Sequence, residues 1–233
     1  MKLETKDLLT GDEISSKEFL ELIDFSIKLK EENKTVKGKQ LLENKTLAML
    51  FEKPSTRTRV SFETGMKQLG GHTIILSLNE MQHSRGESVE DTAKTLSGYV
   101  DGIVARVYEH SFIEDLAKHA TVPVINGLSN SYHPCQTLAD FMTIKEHKKK
   151  FKDLKIAWIG DGNNVCNSLI FGCGKTQTDI VIATPKGFEP NPEVVKKASE
   201  NTTIDLTTDP ESAVKDADIV MTDTFTSIHT SDP

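Results

Sequence analysis

The sequence has few of the residues that build cross-links, metal centres or membrane segments. Its three cysteines among 233 residues are odd in number and lack the spacing of metal ligands, so we expect a reduced, cytoplasmic protein without a disulfide framework. No apolar run is long enough to span a membrane, and the first residues carry acids and lack the apolar core of a signal peptide. We therefore expect no membrane segment and no targeting segment.

An excess of basic residues is also missing. The formal net charge is −7 with both signs mixed along the chain, which argues against general binding of nucleic acid. There is no internal repeat and no low-complexity run. The hydrophobic share of 36% is sufficient for true cores, in one large domain or two small ones.

Short apolar runs alternate with amphipathic segments along most of the chain, a pattern typical of parallel sheets covered by helices on both faces. The predicted strands are residues 46–50, 72–78, 102–105, 122–125, 155–159, 180–184, 203–206 and 218–223. Residues 127–132 are predicted to form a loop.

A lysine-rich break at residues 148–153 is the best candidate for a domain boundary. We therefore predict an α/β protein with two tandem domains, residues 1–148 and 149–233. Each is expected to contain a parallel sheet flanked by helices, and a helix over residues 136–150 is expected to join them.

The stretch Ser-Thr-Arg-Thr-Arg at residues 55–59 lies between the first predicted strand and a predicted helix. Ser55 or Thr56 suits the N-cap, so the backbone N–H groups of the first turn, the hydroxyls and both Arg57 and Arg59 are expected to converge. A helix N-terminus with such groups binds phosphate. The alternative is an ordinary cap with solvated arginines, which the dense alternation of hydroxyls and arginines makes less favourable.

Other polar side chains follow the next three predicted strands, namely Gln82, Arg106 and His133. In open parallel sheets, ligands bind beyond the carboxyl ends of the strands, so these groups are candidates for one site. Taken alone, Arg106 could be a surface ion-pair partner and His133 a satisfied loop histidine.

The segment His-Pro-Cys-Gln at residues 133–136 is the second strong signal. Pro134 fixes the backbone before a helix, so His133 and Gln136 can be held at its start. An imidazole there can donate to a carbonyl oxygen, and the Gln136 amide can hold an –NH2 group. Cys135 has no apparent orienting base, so we interpret it as a buried small residue and not as a nucleophile.

Together these motifs resemble the aspartate/ornithine carbamoyltransferase family. The stretch at 55–59 followed by Ser-Phe-Glu resembles its carbamoyl phosphate loop, and residues 82–92 resemble a loop that closes over the neighbouring subunit's site. This second loop has His83-Ser84 where the family usually has Leu-Gly. Asn-Asn at 163–164 and Asp-x-x-x-Ser at 223–227 resemble the ornithine-specific branch.

The resemblance implies a role for each matching position. The phosphate ligands are Ser55, Thr56, Arg57 and Thr58. The catalytic and carbamoyl-binding residues are Arg106, His133 and Gln136. Gln82 comes from an adjacent subunit, which implies a homotrimer. The ornithine-binding residues are Asn164, Asp223, Ser227 and Ile228. The implied substrates are carbamoyl phosphate and L-ornithine, and no metal or organic cofactor is required.

The sequence differs from the family pattern after Ser227. The family usually continues Met-Gly, and this chain has Ile228-His229 and ends at Pro233. We therefore expect the ornithine-binding domain to be incomplete at its C-terminus, without the family's His-Cys-Leu-Pro element and final helix.

Three alternatives to transfer onto ornithine remain. One is a carbamoyltransferase for another amine such as putrescine, and another is a truncated, non-catalytic carbamoyl phosphate binder. The third is a nicotinamide-dependent oxidoreductase, suggested by Gly160 and Gly162. This last reading is disfavoured because Val165 occupies the third glycine position and no acid follows the next strand.

Overall fold

The computed structural model describes residues 3–35, 40–82 and 86–224, apart from the side chains of residues 33–35. The chain divides into two compact units. One comprises the N-terminal segment up to Glu13 together with Lys28–Ser129, and the other comprises Ile14–Ile27 together with the chain from Asn130 onward. The predicted boundary between residues 148 and 149 stays a prediction.

Helices and strands alternate as the sequence pattern predicts. The helices are α1 (Ser16–Thr35), α2 (Thr56–Gln68), α3 (Val89–Ser97), α4 (His110–His119), α5 (Pro134–Lys148), α6 (Asn164–Thr176), α7 (Pro192–Ala198) and α8 (Pro210–Val214). The strands are β1 (Thr46–Phe51), β2 (His72–Ser77), β3 (Gly102–Arg106), β4 (Val124–Leu128), β5 (Lys155–Ile159), β6 (Asp179–Ala183), β7 (Ile204–Thr207) and β8 (Ile219–Met221). Across the described ranges, no helix is both long and apolar enough to cross a membrane.

The strands form two parallel four-stranded sheets, with the orders β2-β1-β3-β4 and β7-β6-β5-β8. The predicted α/β class with two parallel sheets is confirmed. In each sheet the strand order reverses beside the first strand, between β1 and β3 and between β5 and β8. Such a reversal opens a crevice at the carboxyl ends of the two strands, where ligands bind in open α/β sheets.

The strand β1 shows why helices cover both faces of the first sheet. Its alternate side chains Ala48 and Leu50 pack into a buried cluster with residues of α3 and α4. Met49 and Phe51 point the other way and pack with Met66 of α2. The two-residue period of a strand therefore explains the unbroken apolar run in the sequence, because both faces of β1 are buried.

The predicted end of β4 is wrong. The strand continues to Leu128, two residues into the segment predicted as a loop. The register with β3 shifts there, from Ala105 opposite Asn126 to Arg106 opposite Leu128, so Gly127 is an inserted residue. A Cβ at Gly127 would lie 3.2 Å from the Ala105 carbonyl oxygen, which makes glycine the residue that fits this bulge. A glycine that looked like a loop signal is in fact a strand irregularity.

Helices α5 and α6 pack closely through a glycine. A Cβ on Gly172 would lie 2.3 Å from Cε2 of Phe141 and 2.7 Å from Cγ2 of Thr137. Phe141 is fully buried. Its ring also contacts Phe19 of α1 edge-on, with a centroid distance of 5.5 Å. There is no free space for an added methyl group.

We expect Gly172→Ala to destabilise the protein by about 1–2 kcal/mol, because overpacking of a tight core costs more than the roughly 1 kcal/mol that alanine gains over glycine in a helix. The free energy of unfolding in urea measures the change. Gly65→Ala in α2 is the matched control, since a Cβ there meets nothing within 4 Å. That variant should gain about 0.5–1 kcal/mol. A stabilised Gly172→Ala would contradict the packing described here.

Candidate active site

The predicted phosphate loop follows β1 at the reversal point of the first sheet. Phe51 of β1 pairs with Arg106, the last residue of β3. Beyond the strands, the Glu52 amide donates to the Arg106 carbonyl at 3.0 Å, and a Glu52 carboxylate oxygen accepts from the Tyr108 amide at 2.6 Å. The loops after β1 and β3 are thereby tied together, and this fixes the Arg106 backbone beside the start of α2.

The N-terminus of α2 has no side-chain cap. Ser55 is the N-cap residue with an extended backbone, its side chain forms no capping hydrogen bond, and the first turn contains no acid. In α3, by contrast, the N-cap Ser88 hydroxyl accepts from the Asp91 amide at 3.0 Å. The open α2 N-terminus leaves backbone N–H donors and the positive end of the helix dipole to an external anion.

Two guanidinium groups add positive charge at this point. Arg106 Nη1 donates to the Thr58 hydroxyl in the first turn of α2 at 3.1 Å. Burial lowers the pKa of Arg106, and the charge of nearby Arg57 lowers it further. Within the described ranges, no carboxylate forms an ion pair with either group. Like charges held together without a counter-ion are unfavourable, and a bound phosphate would compensate them.

The expectation for Arg59 is wrong. Its Nε pairs with the Glu63 carboxylate one turn later at 3.2 Å. Residues two apart on a helix do not face the same way, so Arg59 cannot accompany Arg57. The second arginine beside the start of α2 is Arg106, the last residue of β3.

Two of the predicted carbamoyl-binding residues, His133 and Gln136, lie at the start of α5, in the other unit. His133 is the N-cap and Pro134 begins the helix, two residues before the predicted start at Gln136. The His133 amide donates to Ser168 Oγ of α6 at 2.7 Å, and Asn167 Nδ2 donates to the Ser131 carbonyl at 3.2 Å. The sequence analysis missed these two α6 residues. Their polar side chains are buried, and they hold the loop that carries the histidine.

Gln136 is exposed in the first turn of α5, and its Nε2 donates to Asp140 Oδ1 at 2.9 Å. Burial raises the pKa of Asp140 to about 6; the Gln136 donor opposes this rise and the charge of Asp223 adds to it. Asp140 is a second group that the sequence analysis missed. Its spacing of four residues from Gln136 was the available signal.

Cys135 lies between His133 and Gln136 and carries a free thiol. Burial raises its pKa to about 12, so it is protonated at neutral pH. Cys135 is only half-buried, so the expectation of a buried residue is wrong, whereas a protonated thiol agrees with the interpretation that it is not a nucleophile.

The described residues of the predicted amino-acid site, Asn164 and Asp223, lie at the reversal point of the second sheet. Asp223 follows β8, and Asn163 Nδ2 donates to Asp223 Oδ2 at 2.9 Å. The adjacent Asn164 is buried, and its Oδ1 accepts from the Val165 amide at 3.0 Å. Asn163 was not among the predicted site residues, although an asparagine directly before a helix indicates a cap.

The same region lacks the features of a dinucleotide site. Asn163 Oδ1 accepts from the amides of Val165 at 3.0 Å and Cys166 at 3.1 Å, so the α6 N-terminus is capped. A Cβ on Gly162 would lie 2.2 Å from the Pro190 backbone nitrogen. The space that a pyrophosphate would need beside this glycine is therefore filled by the protein's own backbone.

For three predicted site residues, the described part of the chain shows no contact with another predicted site residue. Gln82 is exposed, and its carbonyl accepts from the Glu87 amide at 3.2 Å. Ser227 and Ile228 lie outside the described residues. Their roles, like those of the other site residues, stay predictions.

Comparison with known families gives two matches along the chain. Residues 6–146 match the carbamoyl-P binding domain of the aspartate/ornithine carbamoyltransferase family, and residues 152–233 match its Asp/Orn binding domain.

Individual relatives agree with these matches. An ornithine carbamoyltransferase from Cenarchaeum symbiosum is 57% identical over 100% of this chain and 76% of its own length. One from Bacillus thuringiensis subsp. konkukian is 51% identical over 97% of this chain and 72% of its own length. The solved structure of ornithine carbamoyltransferase from Pyrococcus furiosus has a TM-score of 0.94 and 48% identity, covering 98% of this chain and 75% of that one. The Thermus thermophilus structure has a TM-score of 0.89 and 42% identity, covering 95% and 75%. With both domains matched and such identity over nearly its full length, the chain belongs to the aspartate/ornithine carbamoyltransferase family.

Proposed function

We propose that the protein transfers the carbamoyl group of carbamoyl phosphate to the δ-amine of L-ornithine, giving L-citrulline and phosphate. The observation that carries this proposal is the uncapped N-terminus of α2, beside which Arg57 and Arg106 lie without a carboxylate partner among the described residues. The relatives described above are named ornithine carbamoyltransferase, which supports ornithine as the acceptor.

In this proposal the open helix start binds the phosphate group. Ser55, Thr56 and Thr58 supply hydroxyl and backbone donors, and Arg57 supplies charge. Arg106 has a further task, because it bridges the phosphate and the carbonyl oxygen of the carbamoyl group.

The chemistry demands stabilisation of negative charge on that carbonyl oxygen. The deprotonated δ-amine attacks the carbamoyl carbon and an oxyanion develops. The carbon–oxygen bond to phosphate then breaks, and the proton that the attacking nitrogen loses passes to the departing phosphate. Arg106 and His133 donate to the oxyanion, and each such donor contributes up to roughly 3 kcal/mol to the transition state. Gln136 orients the carbamoyl nitrogen, so the carbon is presented to the amine in a productive geometry.

The amino-acid substrate is held by polar residues of the second sheet and of the segment that follows it. They are Asn164, Asp223, Ser227 and Ile228. The Asp223 carboxylate can form a charge-assisted hydrogen bond with the α-ammonium group of ornithine. Its Oδ2 already accepts from Asn163, so Oδ1 is the oxygen proposed to bind the ammonium group.

We further propose that the enzyme is a cytoplasmic homotrimer. Gln82 then acts in the site of the adjacent subunit, for which its exposed side chain is available. The proposed reaction uses no metal and no organic cofactor.

The test is a product assay with an amine panel. The protein is incubated with carbamoyl phosphate and, separately, L-ornithine, putrescine, L-aspartate and L-lysine, and ureido product and phosphate are quantified. We expect citrulline and phosphate in equal amounts with ornithine and little product with the other amines.

The other outcomes separate the alternatives. Faster turnover of putrescine than of ornithine would replace the acceptor and keep the reaction type. Calorimetric binding of carbamoyl phosphate without product from any amine would identify a non-catalytic binder and overturn the proposal.

A further inference from the structure

The Gln136 amide has two chemically different ends, and only one of them suits a carbamoyl group. An –NH2 group is a donor, so it needs the amide oxygen, whereas the amide nitrogen would face it as a second donor. An exposed glutamine side chain by itself samples many rotamers and both amide orientations. Something must therefore hold the amide if Gln136 is to orient a substrate nitrogen.

Asp140 lies where such a holding group is required. It follows Gln136 by one helical turn, and its Oδ1 accepts from Gln136 Nε2 at 2.9 Å. An ionised carboxylate only accepts hydrogen bonds, so it selects the nitrogen end of the amide and leaves Oε1 for another donor.

We propose that Asp140 is a positioning residue that fixes the Gln136 amide with its oxygen toward the carbamoyl nitrogen of the substrate. This inference rests on the proposed function, because it assigns Gln136 a carbamoyl group to bind. Asp140 itself does not touch the substrate.

The surroundings of Asp140 indicate a role other than stability. The carboxylate is partly buried and faces the charge of Asp223, while Asp223 has its own donor in Asn163. Both burial and Asp223 raise the Asp140 pKa, toward about 6, so its ionised form is unfavourable for folding. Helices α1 and α6 pack on α5. Among the described residues, their acids and lysines do not shift the pKa of Asp140.

The main test compares ligands with and without a carbamoyl group in calorimetric titrations at pH 8. Asp140→Ala should weaken carbamoyl phosphate binding by about tenfold, which corresponds to releasing one glutamine side chain. Its affinity for inorganic phosphate should change less than about twofold, since phosphate has no –NH2 group for Gln136 to hold.

Two further variants grade the effect. Asp140→Asn can either accept from Nε2 or donate to Oε1, so about a two- to fivefold loss is expected. Asp140→Glu keeps an acceptor-only group and should recover most of the Ala loss. Glu146→Gln, on the same helix, makes the same change of charge away from Gln136 and should bind both ligands as the parent does.

Thermal unfolding supplies a readout with the opposite sign. The pKa of Asp140 in the folded state, about 6, exceeds its ordinary value of 3.8, so ionisation of Asp140 lowers the stability of the fold. The full destabilisation is present above pH 6, and it decreases as the pH falls toward 4. Asp140→Asn should therefore have a higher Tm than the parent at pH 8, and the difference should shrink as the pH falls through that window. Weaker ligand binding by a more stable variant is incompatible with a merely structural role.

Several results would overturn the inference. Equal losses for carbamoyl phosphate and phosphate, unchanged binding by Asp140→Ala, or a lower Tm for Asp140→Asn at pH 8 would each do so. A parent protein that binds carbamoyl phosphate but makes no citrulline refutes the proposed transfer and leaves these titrations as a valid test of Asp140. A parent that does not bind carbamoyl phosphate refutes both.

Discussion

Arg57→Ala is expected to weaken the binding of both carbamoyl phosphate and inorganic phosphate by about 10- to 100-fold, because a charge-assisted contact to an oxyanion contributes roughly 1.5–3 kcal/mol. The loss should be the same for both ligands, since Arg57 is assigned to the phosphate group that they share. Calorimetric titration at fixed ionic strength measures it. This pattern differs from the one expected for Asp140, where only carbamoyl phosphate is affected.

The chain supplies a matched control two residues away. Arg59 has the same charge and lies on the same helix, and its guanidinium is paired with Glu63. Arg59→Ala should change phosphate affinity less than about twofold, because exposed ion pairs contribute little. If Arg57→Ala binds as tightly as Arg59→Ala, the phosphate site is not at the start of α2.

Asp223→Asn is expected to raise the KM for ornithine by about 30- to 100-fold, because it removes the negative charge proposed to hold the α-ammonium group. The affinity for carbamoyl phosphate should change less than about threefold. Asparagine keeps an oxygen that can accept from Asn163, so the local structure is conserved. Initial rates at varied ornithine and saturating carbamoyl phosphate give the KM.

The control for this variant is Asp216→Asn. Asp216 is exposed and has a positive φ of 60°, a conformation that asparagine tolerates well. It should leave both constants unchanged. Losses of similar size for ornithine and carbamoyl phosphate in Asp223→Asn would show that Asp223 is not specific to the amino acid.

The two variants together divide the proposed site by substrate. Arg57 belongs to the reversal point of the first sheet, and Asp223 belongs to that of the second. Each half has its charged group beside a helix start, but the two starts differ. The α2 N-terminus is open to an anion, whereas the α6 N-terminus is capped by Asn163, whose amide nitrogen also holds Asp223.

Most of the fold could be predicted from the sequence because its strands are short, apolar and separated by clear helix signals. β5 has the predicted bounds, and Ser88, a residue type typical of helix N-caps, caps α3. A capping box starts α1, where Ser15 and Glu18 exchange hydrogen bonds. The end of β4 could not be predicted, because Gly127 has the residue type of a turn. A glycine is favoured there because the Ala105 carbonyl of the neighbouring strand leaves little room for a Cβ.

The sequence by itself determined the class of the fold, the start of α2 and the family, because these depend on local periodicity, capping residues and contiguous motifs. Only the tertiary structure decided that Arg59 turns away and that Arg106 takes its place beside Thr58. It also decided that Ser168 holds the His133 loop and that Asp140 and Asn163 accompany the predicted residues. These choices depend on which side of a helix a side chain occupies and which distant strand end it meets. The contacts of Arg106, Ser168 and Asn163 join segments far apart in the chain, so no local pattern encodes them. Those of Arg59 and Asp140 have the four-residue spacing of a helix, which the sequence contains and the structure shows to be used.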